Sequence, residues 1–568
     1  QNGSLLNEAK NKAIEVVNSF RVSDKFTVIT NNFSAGDQRL LSQEETIDKI
    51  EAITIASATK TLSAVYARNR DALHSSELEN KAFYLFSDFQ KSTADFSKIK
   101  ADSLISTYLI PIKPNEINNL YVDSCWFDTP THLLNQNEKL NIRIKNNSEN
   151  DLTNIPLKLY LNNQIVVPAS FAIKPNDETI LQLNYRNKTN GIQHGKIEIV
   201  DHPVVTDDVF YFSYQISENI NILGVGDDDN EAISSIYQTD SIFNYSSLKA
   251  KQLDYSRIEK SNLLVFHHLD AVNTGLSNRL KTYVNNGGSL LVFPSNNIDL
   301  QSYRAFLSLL QVNYFMALDT SKNAVKALQL NHPVFKNVFD VEPKGNLNLP
   351  IVSAHYPISK GRTAFKNDIL TLKNGTPFLT AYKVGKGAVY LSVVSLDKTS
   401  SNFCKHALFV PTLYNIALLS QKNYPLFQMI GNTTTIDVER SEKDAIYHIK
   451  NKDVDLIPRV RNTANTTTIF VNEGIVVAGN YTLNSQQSKI GLAYNYNRLE
   501  SELSCFNASE IKSIISSNAI NATYVDASVP LQDALYNITA AKNYWKYCII
   551  LALLFLAIEI VLIKFFKP

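Results

Sequence analysis

The sequence predicts a multidomain chain of α/β and β units that ends in a transmembrane helix, and three observations predict it. Helix and strand alternate over residues 1–113 and again over about 218–422, the layout of doubly wound α/β domains. Over about 118–216 and 424–500 the apolar residues instead repeat every second position between turn clusters, which reads as β-rich domains. Near the C-terminus, residues 547–563 (YCIILALLFLAIEIVLI) carry Glu559 as their only charge. At ~1.5 Å per residue that run nearly crosses a ~30 Å hydrocarbon core.

The elements follow in order. Residues 5–20 pattern as an amphipathic helix with Leu5, Leu6, Ala9, Ala13, Val16, Val17 and Phe20 on one face and Ser4 as N-cap. A strand at 26–30, a helix opened by the capping pattern Ser42…Glu45, a helix near 62–72 and strands at 82–87 and 106–112 fill an α/β domain of 1–115. With no initiator Met and no signal peptide, a chain that opens inside such a unit is read as truncated at its N-terminus. Strands at 140–144, 157–161, 179–183, 196–199 and 209–214 alternate with turns such as Asn146-Asn147-Ser148 and Pro175-Asn176-Asp177. Around seven strands in ~100 residues marks 118–216 as an immunoglobulin-like sandwich.

In 218–422, strands at 221–225, 263–267 and 289–293 interleave with helices near 231–237, 276–284 and 303–310. A strand at 388–394 then leads into a helix opened by Pro411, a favoured first-turn residue. Residues 424–505 read as a smaller β-rich domain with strands at 433–438, 445–449, 467–471 and 489–494. A polar membrane-proximal segment, 506–545, precedes the transmembrane helix at 546–566, with Tyr544 and Trp545 at one interface and Lys564 and Lys567 at the other.

Composition narrows the function classes. At roughly 100–200 residues per domain, 568 residues make about three to five domains. The 55 Lys+Arg balance 54 Asp+Glu, so no basic excess exists to bind nucleic acid through its phosphates. Cys125, Cys404, Cys505 and Cys548 form no C-x-x-C pair, which argues against a disulfide scaffold or a structural zinc site.

Several stretches invite chemistry. Gly224-Val225-Gly226-Asp227-Asp228-Asp229-Asn230 has the glycine spacing of nucleotide loops, but its three carboxylates would repel a phosphate. Asp229 or Asn230 as a helix N-cap accounts for it. His267 and His268 are adjacent on a strand and point to opposite faces, so they do not share a metal ion. Gly385-Lys386-Gly387 lacks the rest of a P-loop and reads as a hairpin turn.

The first domain resembles a von Willebrand factor A domain, one lacking its first strand. The resemblance implies a divalent cation held at the strand ends: Asp88, after the apolar strand FYLF, matches the distant Asp of the motif, and Thr61 matches its Thr, with Thr59 as the other register. The D-x-S-x-S element of that site is absent, so the implied Mg²⁺ or Mn²⁺ site is partial. The 218–422 domain resembles the class I glutamine-amidotransferase-like fold, whose catalytic members use a Cys on a strand-to-helix turn. The turn here is Pro294-Ser295-Asn296-Asn297, and Cys404 lies far along in Asn402-Phe403-Cys404-Lys405-His406. Ser295 with His267 or His268 is the substitute pairing available.

As a whole the chain resembles BatA-type membrane proteins of the aerotolerance-associated group. The resemblance is carried by Asn331-His332-Pro333-Val334-Phe335, by 402–411, by Leu492-Ala493-Tyr494-Asn495-Tyr496 and by Trp545-Lys546-Tyr547 running into the apolar helix. It implies a bacterial inner-membrane protein with its bulk periplasmic and its C-terminus cytoplasmic. The implied partners are other Bat-type proteins and a MoxR-type ATPase. The expected function is a non-enzymatic interaction scaffold in envelope protein assembly or stress tolerance. A hydrolase or amidotransferase-like enzyme centred in 218–422 is the alternative. A third reading, binding of an envelope polymer or carbohydrate, has Trp126 as its aromatic candidate.

Overall fold

The computed structural model describes residues 2–565 other than 79, 101, 114–117, 203, 228–229, 337, 340–346, 362–364, 422–423, 440–444, 464–465, 472–473, 485–488, 518–520 and 527–544. The chain folds as two α/β units and two β units, so the multidomain α/β and β architecture stands.

In the first unit, helix Asn2–Asn18 begins ahead of Ser4, which therefore lies inside the helix rather than capping it. Its apolar face buries Val16 and Val17. The predicted capping box is present: Glu45 N–H donates to Ser42 Oγ at 3.3 Å and Ser42 N–H to Glu45 Oε2 at 2.8 Å, opening helix Gln43–Glu51. Strands Lys81–Ser87 and Ile105–Pro111 pair in parallel. The strand expected at 26–30 does not form; only Phe26 pairs, in an isolated antiparallel bridge to Leu41. An apolar alternation makes a segment extended, but a strand exists only where a second backbone lies about 4.8 Å away. Here a cavity of about 1230 Å³, lined by Phe20, Val28, Tyr84 and Phe86 among others, separates 26–30 from the edge of Lys81–Ser87.

The third strand of this sheet comes from the far end of the chain. Ala522–Tyr524 pairs in parallel with 107–109. Helix Ala508–Ser517 buries Ile511 against Leu62, Phe89, Phe96 and Leu109. Residues expected as a polar approach to the membrane thus complete the first domain as far as Val525, and the remainder of that segment, 527–544, lies outside the described residues.

The sandwich has seven strands in two antiparallel sheets. Leu120–Phe127, Asn137–Asn146 and Asp177–Arg186 form one; Gln164–Ile173, Leu152–Leu161, Gly191–Glu198 and Val209–Ile216 form the other. Ile142, Leu157, Ile197 and Phe210 fill the space between them.

The second α/β unit has a nine-stranded sheet among the described residues. Phe243–Lys249, Ile220–Gly226, Leu263–Leu269, Ser289–Pro294 and Gly387–Ser392 lie parallel in that spatial order, and antiparallel strands extend the sheet beyond Gly387–Ser392. Successive side chains feed opposite faces. Leu263 and Val265 enter the core under helices Glu231–Tyr237 and Phe409–Leu419, while Leu264 and Phe266 enter the core under Thr274–Asn285 and Leu300–Leu309. Both faces are covered, which is why these strands read as continuous apolar runs. Pro411 sits in the first turn of Phe409–Leu419, as expected.

Among the described residues the smaller β unit packs five strands over three. It grips the sandwich through Asn495, whose Oδ1 accepts from Tyr211 N–H at 2.7 Å and whose Nδ2 donates to Tyr211 O at 2.8 Å.

At the C-terminus a helix spans Trp545–Phe565. Its described side chains from 547 to 562 are exposed throughout, Tyr547 at 69% and Ile560 at 65%. Among the described residues no helix is long and apolar enough to cross a membrane.

Candidate functional site

The strand-end residues come together by a route the sequence only partly shows. Lys81–Ser87 ends in Asp88, and the next residue, Phe89, is fully buried with a left-handed backbone at φ +53°. A bulky residue in that region is strained and persists only where its surroundings hold it. The holding comes from the C-terminal segment. Phe506 N–H donates to Phe89 O at 2.9 Å, Lys91 N–H to Ser504 O at 2.8 Å and Ser92 Oγ to Leu499 O at 2.7 Å. This clasp delivers the short 3₁₀ turn Arg498–Ser501, and with it Glu500, to the mouth of the cavity that Asp88 also lines.

Two carboxyl groups thus share one end of the cavity. Burial pushes Asp88 above the ordinary carboxylate range, against opposing hydrogen bonds from the Gln90 and Asp88 backbone and from Ser87. Burial, and then the charge of Asp88, push Glu500 the same way, while a hydrogen bond from Thr59 pulls it down. Glu500 is exposed where it lines the cavity. The nearby Lys60 is no counter-ion: its Nζ donates to Gly431 O at 3.4 Å and stands over the Phe33 ring.

Of the two threonines, the structure turns Thr61 elsewhere. Thr61 leads into helix Leu62–His74, and its Oγ1 lies 3.2 Å from Ser63 Oγ, which in turn donates to Asp95 Oδ2 at 2.7 Å. Thr59, the second register, is the one that meets Glu500. Asp88, Glu500 and Thr59 make an all-oxygen donor set, which suits Mg²⁺, Mn²⁺ or Ca²⁺. No group of three His, Cys, Asp or Glu placed for a metal occurs among the described residues, so any further ligands are hydroxyl, backbone or water oxygens. Glu500 carries no sequence signal, since it lies in a polar turn far along the chain.

In the second α/β unit each candidate is tied into a local contact. Asn230 caps helix Glu231–Tyr237, its Oδ1 accepting from Ile233 N–H at 3.1 Å; Asp228 and Asp229 lie outside the described residues. Gly385 and Lys386 form a tight turn in which Gly385 takes φ +57°. Ser295 Oγ accepts from Asn297 N–H at 3.2 Å. His267 is fully buried, while His268 lies in the register shift between Phe266 and Leu269 with φ +47°, and its Nε2 meets Asp397 Oδ1 at 3.0 Å. Cys404 Sγ faces Leu396 O at 3.2 Å, and burial pushes its thiol up to about 11, far from the thiolate a nucleophile needs. Trp126 is half-buried beneath the Arg143 guanidinium, 5.4 Å from its ring, rather than part of an exposed strip.

No protein-family model and no curated protein matches the chain. Among solved structures it is similar to a cytoplasmic protein from Salmonella typhimurium LT2, at 11% identity and TM-score 0.29, over 36% of this chain and 100% of that one. It is also similar to the CARDB domain of a Pyrococcus furiosus protein in complex with di-metal ions, at 15% identity and TM-score 0.17, over 18% of this chain and 97% of that one. A third is a protein described as ThuA-like from Bacteroides uniformis, at 13% identity and TM-score 0.27, over 35% of this chain and 89% of that one. Likenesses at these scores carry no functional weight, and the division into α/β and sandwich units rests on the strand pairing itself.

Proposed function

We propose that the chain is a non-enzymatic, membrane-anchored interaction scaffold that captures a partner through a divalent cation at the end of strand Lys81–Ser87. The observation that carries this reading is the Asp88–Glu500 pair, two carboxyl groups at one large cavity, both held above their ordinary range by burial and Glu500 also by the charge of Asp88. A divalent cation reverses that penalty, because an opposite charge favours the ionised carboxylates. Asp88, Glu500 and Thr59 would hold the ion, which in turn would present positive charge to a partner's carboxylate. Thr61, named with Asp88 by the resemblance, serves instead to position the helix start through Ser63.

The apolar helix at 546–566 is proposed as the anchor, in a bacterial inner membrane with the bulk of the chain periplasmic and the C-terminus cytoplasmic. The partners proposed are Bat-type proteins and a MoxR-type ATPase, in envelope protein assembly or stress tolerance. Co-purification with such an ATPase in Mg²⁺ and in EDTA tests this. Capture that is lost in EDTA and in Asp88→Ala supports the reading; capture indifferent to both overturns cation-mediated binding.

One observation favours the enzyme alternative. The His268–Asp397 pair sits at the C-terminal edge of a parallel strand, beside the loop that follows Ile220–Gly226, where the strand order reverses. Labelling of Ser295 by a fluorophosphonate, lost in His268→Gln, would select that reading over a scaffold.

A further inference from the structure

A second cavity, about 580 Å³, opens between the second α/β unit and the smaller β unit. Its size and its place at a domain boundary are those of small-molecule sites, which run roughly 300–1,000 Å³. Three segments wall it: the Gly385–Lys386 turn with its flanking strands, the end of helix Phe409–Leu419, and strand Thr434–Glu439.

Two donors on the wall of this cavity, Gln421 Nε2 and the Lys383 ammonium, lack a partner among the described residues. Gln421 is 9% exposed, and its Nε2 has no hydrogen-bond partner. A buried amide left in that state costs about 1–3 kcal/mol, so an unpaired one at a cavity wall points to a missing acceptor. His332 Nδ1 accepts the Val334 N–H at 3.2 Å, which puts the proton of the neutral ring on Nε2. Burial holds that ring below its ordinary pKa and hence neutral. Lys383 has no ion-pair partner among the described residues. The carboxylate that lines the cavity, Asp437, is already engaged by the Lys386 ammonium and by Thr468 Oγ1 at 2.6 Å. Ile436 and Leu492 supply an apolar wall.

We propose that this cleft binds a small organic anion, an oxyanion head on an apolar body, with Lys383 and Gln421 meeting the head. The site is independent of the cation site and stands or falls without it. Charge-assisted bonds to a partly enclosed oxyanion are the strong kind, and the amide adds direction that a lone lysine lacks.

The test is calorimetric titration of the full chain with phenyl phosphate, benzoate and, as the uncharged control, benzyl alcohol. One or both acids should bind at millimolar concentration, and benzyl alcohol should not. Lys383→Met and Gln421→Leu should each weaken binding about tenfold, while Lys326→Met, an exposed lysine outside the cavity, should leave it unchanged. The proposal is overturned if no acid binds, if benzyl alcohol binds as well as the acids, or if Lys383→Met and Gln421→Leu bind as the unaltered chain does. Phosphate over carboxylate preference identifies which oxyanion the cleft was built for.

Discussion

Asp208 shows how far a single buried carboxyl can move the pH dependence of this protein. Its side chain is buried, its Oδ2 accepts from Asp201 N–H at 3.2 Å, and burial, then the charges of Asp207 and Asp201, push it from 3.8 to about 6. A carboxyl raised on folding binds its proton more tightly in the folded state, so its contribution to stability is complete below the unfolded pKa and is lost as pH rises through about 6. Asp208→Asn should therefore stabilise the protein near neutral pH by about 1 kcal/mol and change little near pH 4. Thermal melts of both proteins at the two pH values check this, and an equal effect at both contradicts it. At the same scale, legibility follows locality. Asp88 could be read because an apolar strand runs straight into it. Glu500 could not, because nothing in a polar turn announces which distant carboxyl it will meet. Thr59 and Thr61 could be named only as alternatives, since which hydroxyl faces the site depends on how the helix start is tied to Ser63 and Asp95.

Elements divide in the same way between local and distant causes. The Ser42–Glu45 capping box was legible and forms, because its two bonds close within four residues. Helix 231–237 and the strands of the second α/β unit were legible because apolar runs, caps and turns alternate along a continuous stretch. The strand expected at 26–30 failed for want of a neighbouring backbone, which no local pattern can supply. Residues 508–524 failed in the opposite sense: a polar, weakly patterned stretch becomes a helix and a strand because strand Ile105–Pro111 and the pocket around Phe89 receive them. Ile511, 1% exposed, anchors that docking. Ile511→Ala should cost about 2–4 kcal/mol, the usual range for a large-to-small change in a core. Because Phe506 and Ser504 hold the Asp88 loop from the same segment, the variant should also raise amide exchange at Phe506 and Lys91, the two amides that donate across the clasp. Unchanged exchange there would contradict the clasp.

Across the whole molecule, one arginine joins what the chain order separates. Arg498 is buried in the turn that also carries Glu500; its Nε donates to Val122 O and its guanidinium Nη2 to Val209 O, each at 2.8 Å, inside the sandwich. The guanidinium lies over Phe210 and near the charges of Asp207 and Asp123. Arg498→Met leaves two carbonyls without their donor and Asp207 and Asp123 without a nearby positive charge, and should cost about 3 kcal/mol. In a multidomain chain that loss is best read locally, as faster amide exchange in 120–127 and 209–216 ahead of the second α/β unit. The turn that locks the sandwich is also the turn that sets Glu500 beside Asp88, so the sandwich, the C-terminal segment and the first domain form one mechanical path to the proposed cation.

That proposed site is tested most directly by calorimetric titration of Mn²⁺ and Mg²⁺ into the chain, Asp88→Ala and Glu500→Gln. Binding by the unaltered chain should tighten as pH rises, because two raised carboxyls must lose their protons to receive the ion. Asp88→Ala should abolish it, Glu500→Gln should weaken it about tenfold or more, and Thr61→Val should leave it in place. Binding that survives Asp88→Ala, or that depends on Thr61 and not on Glu500, would contradict the account.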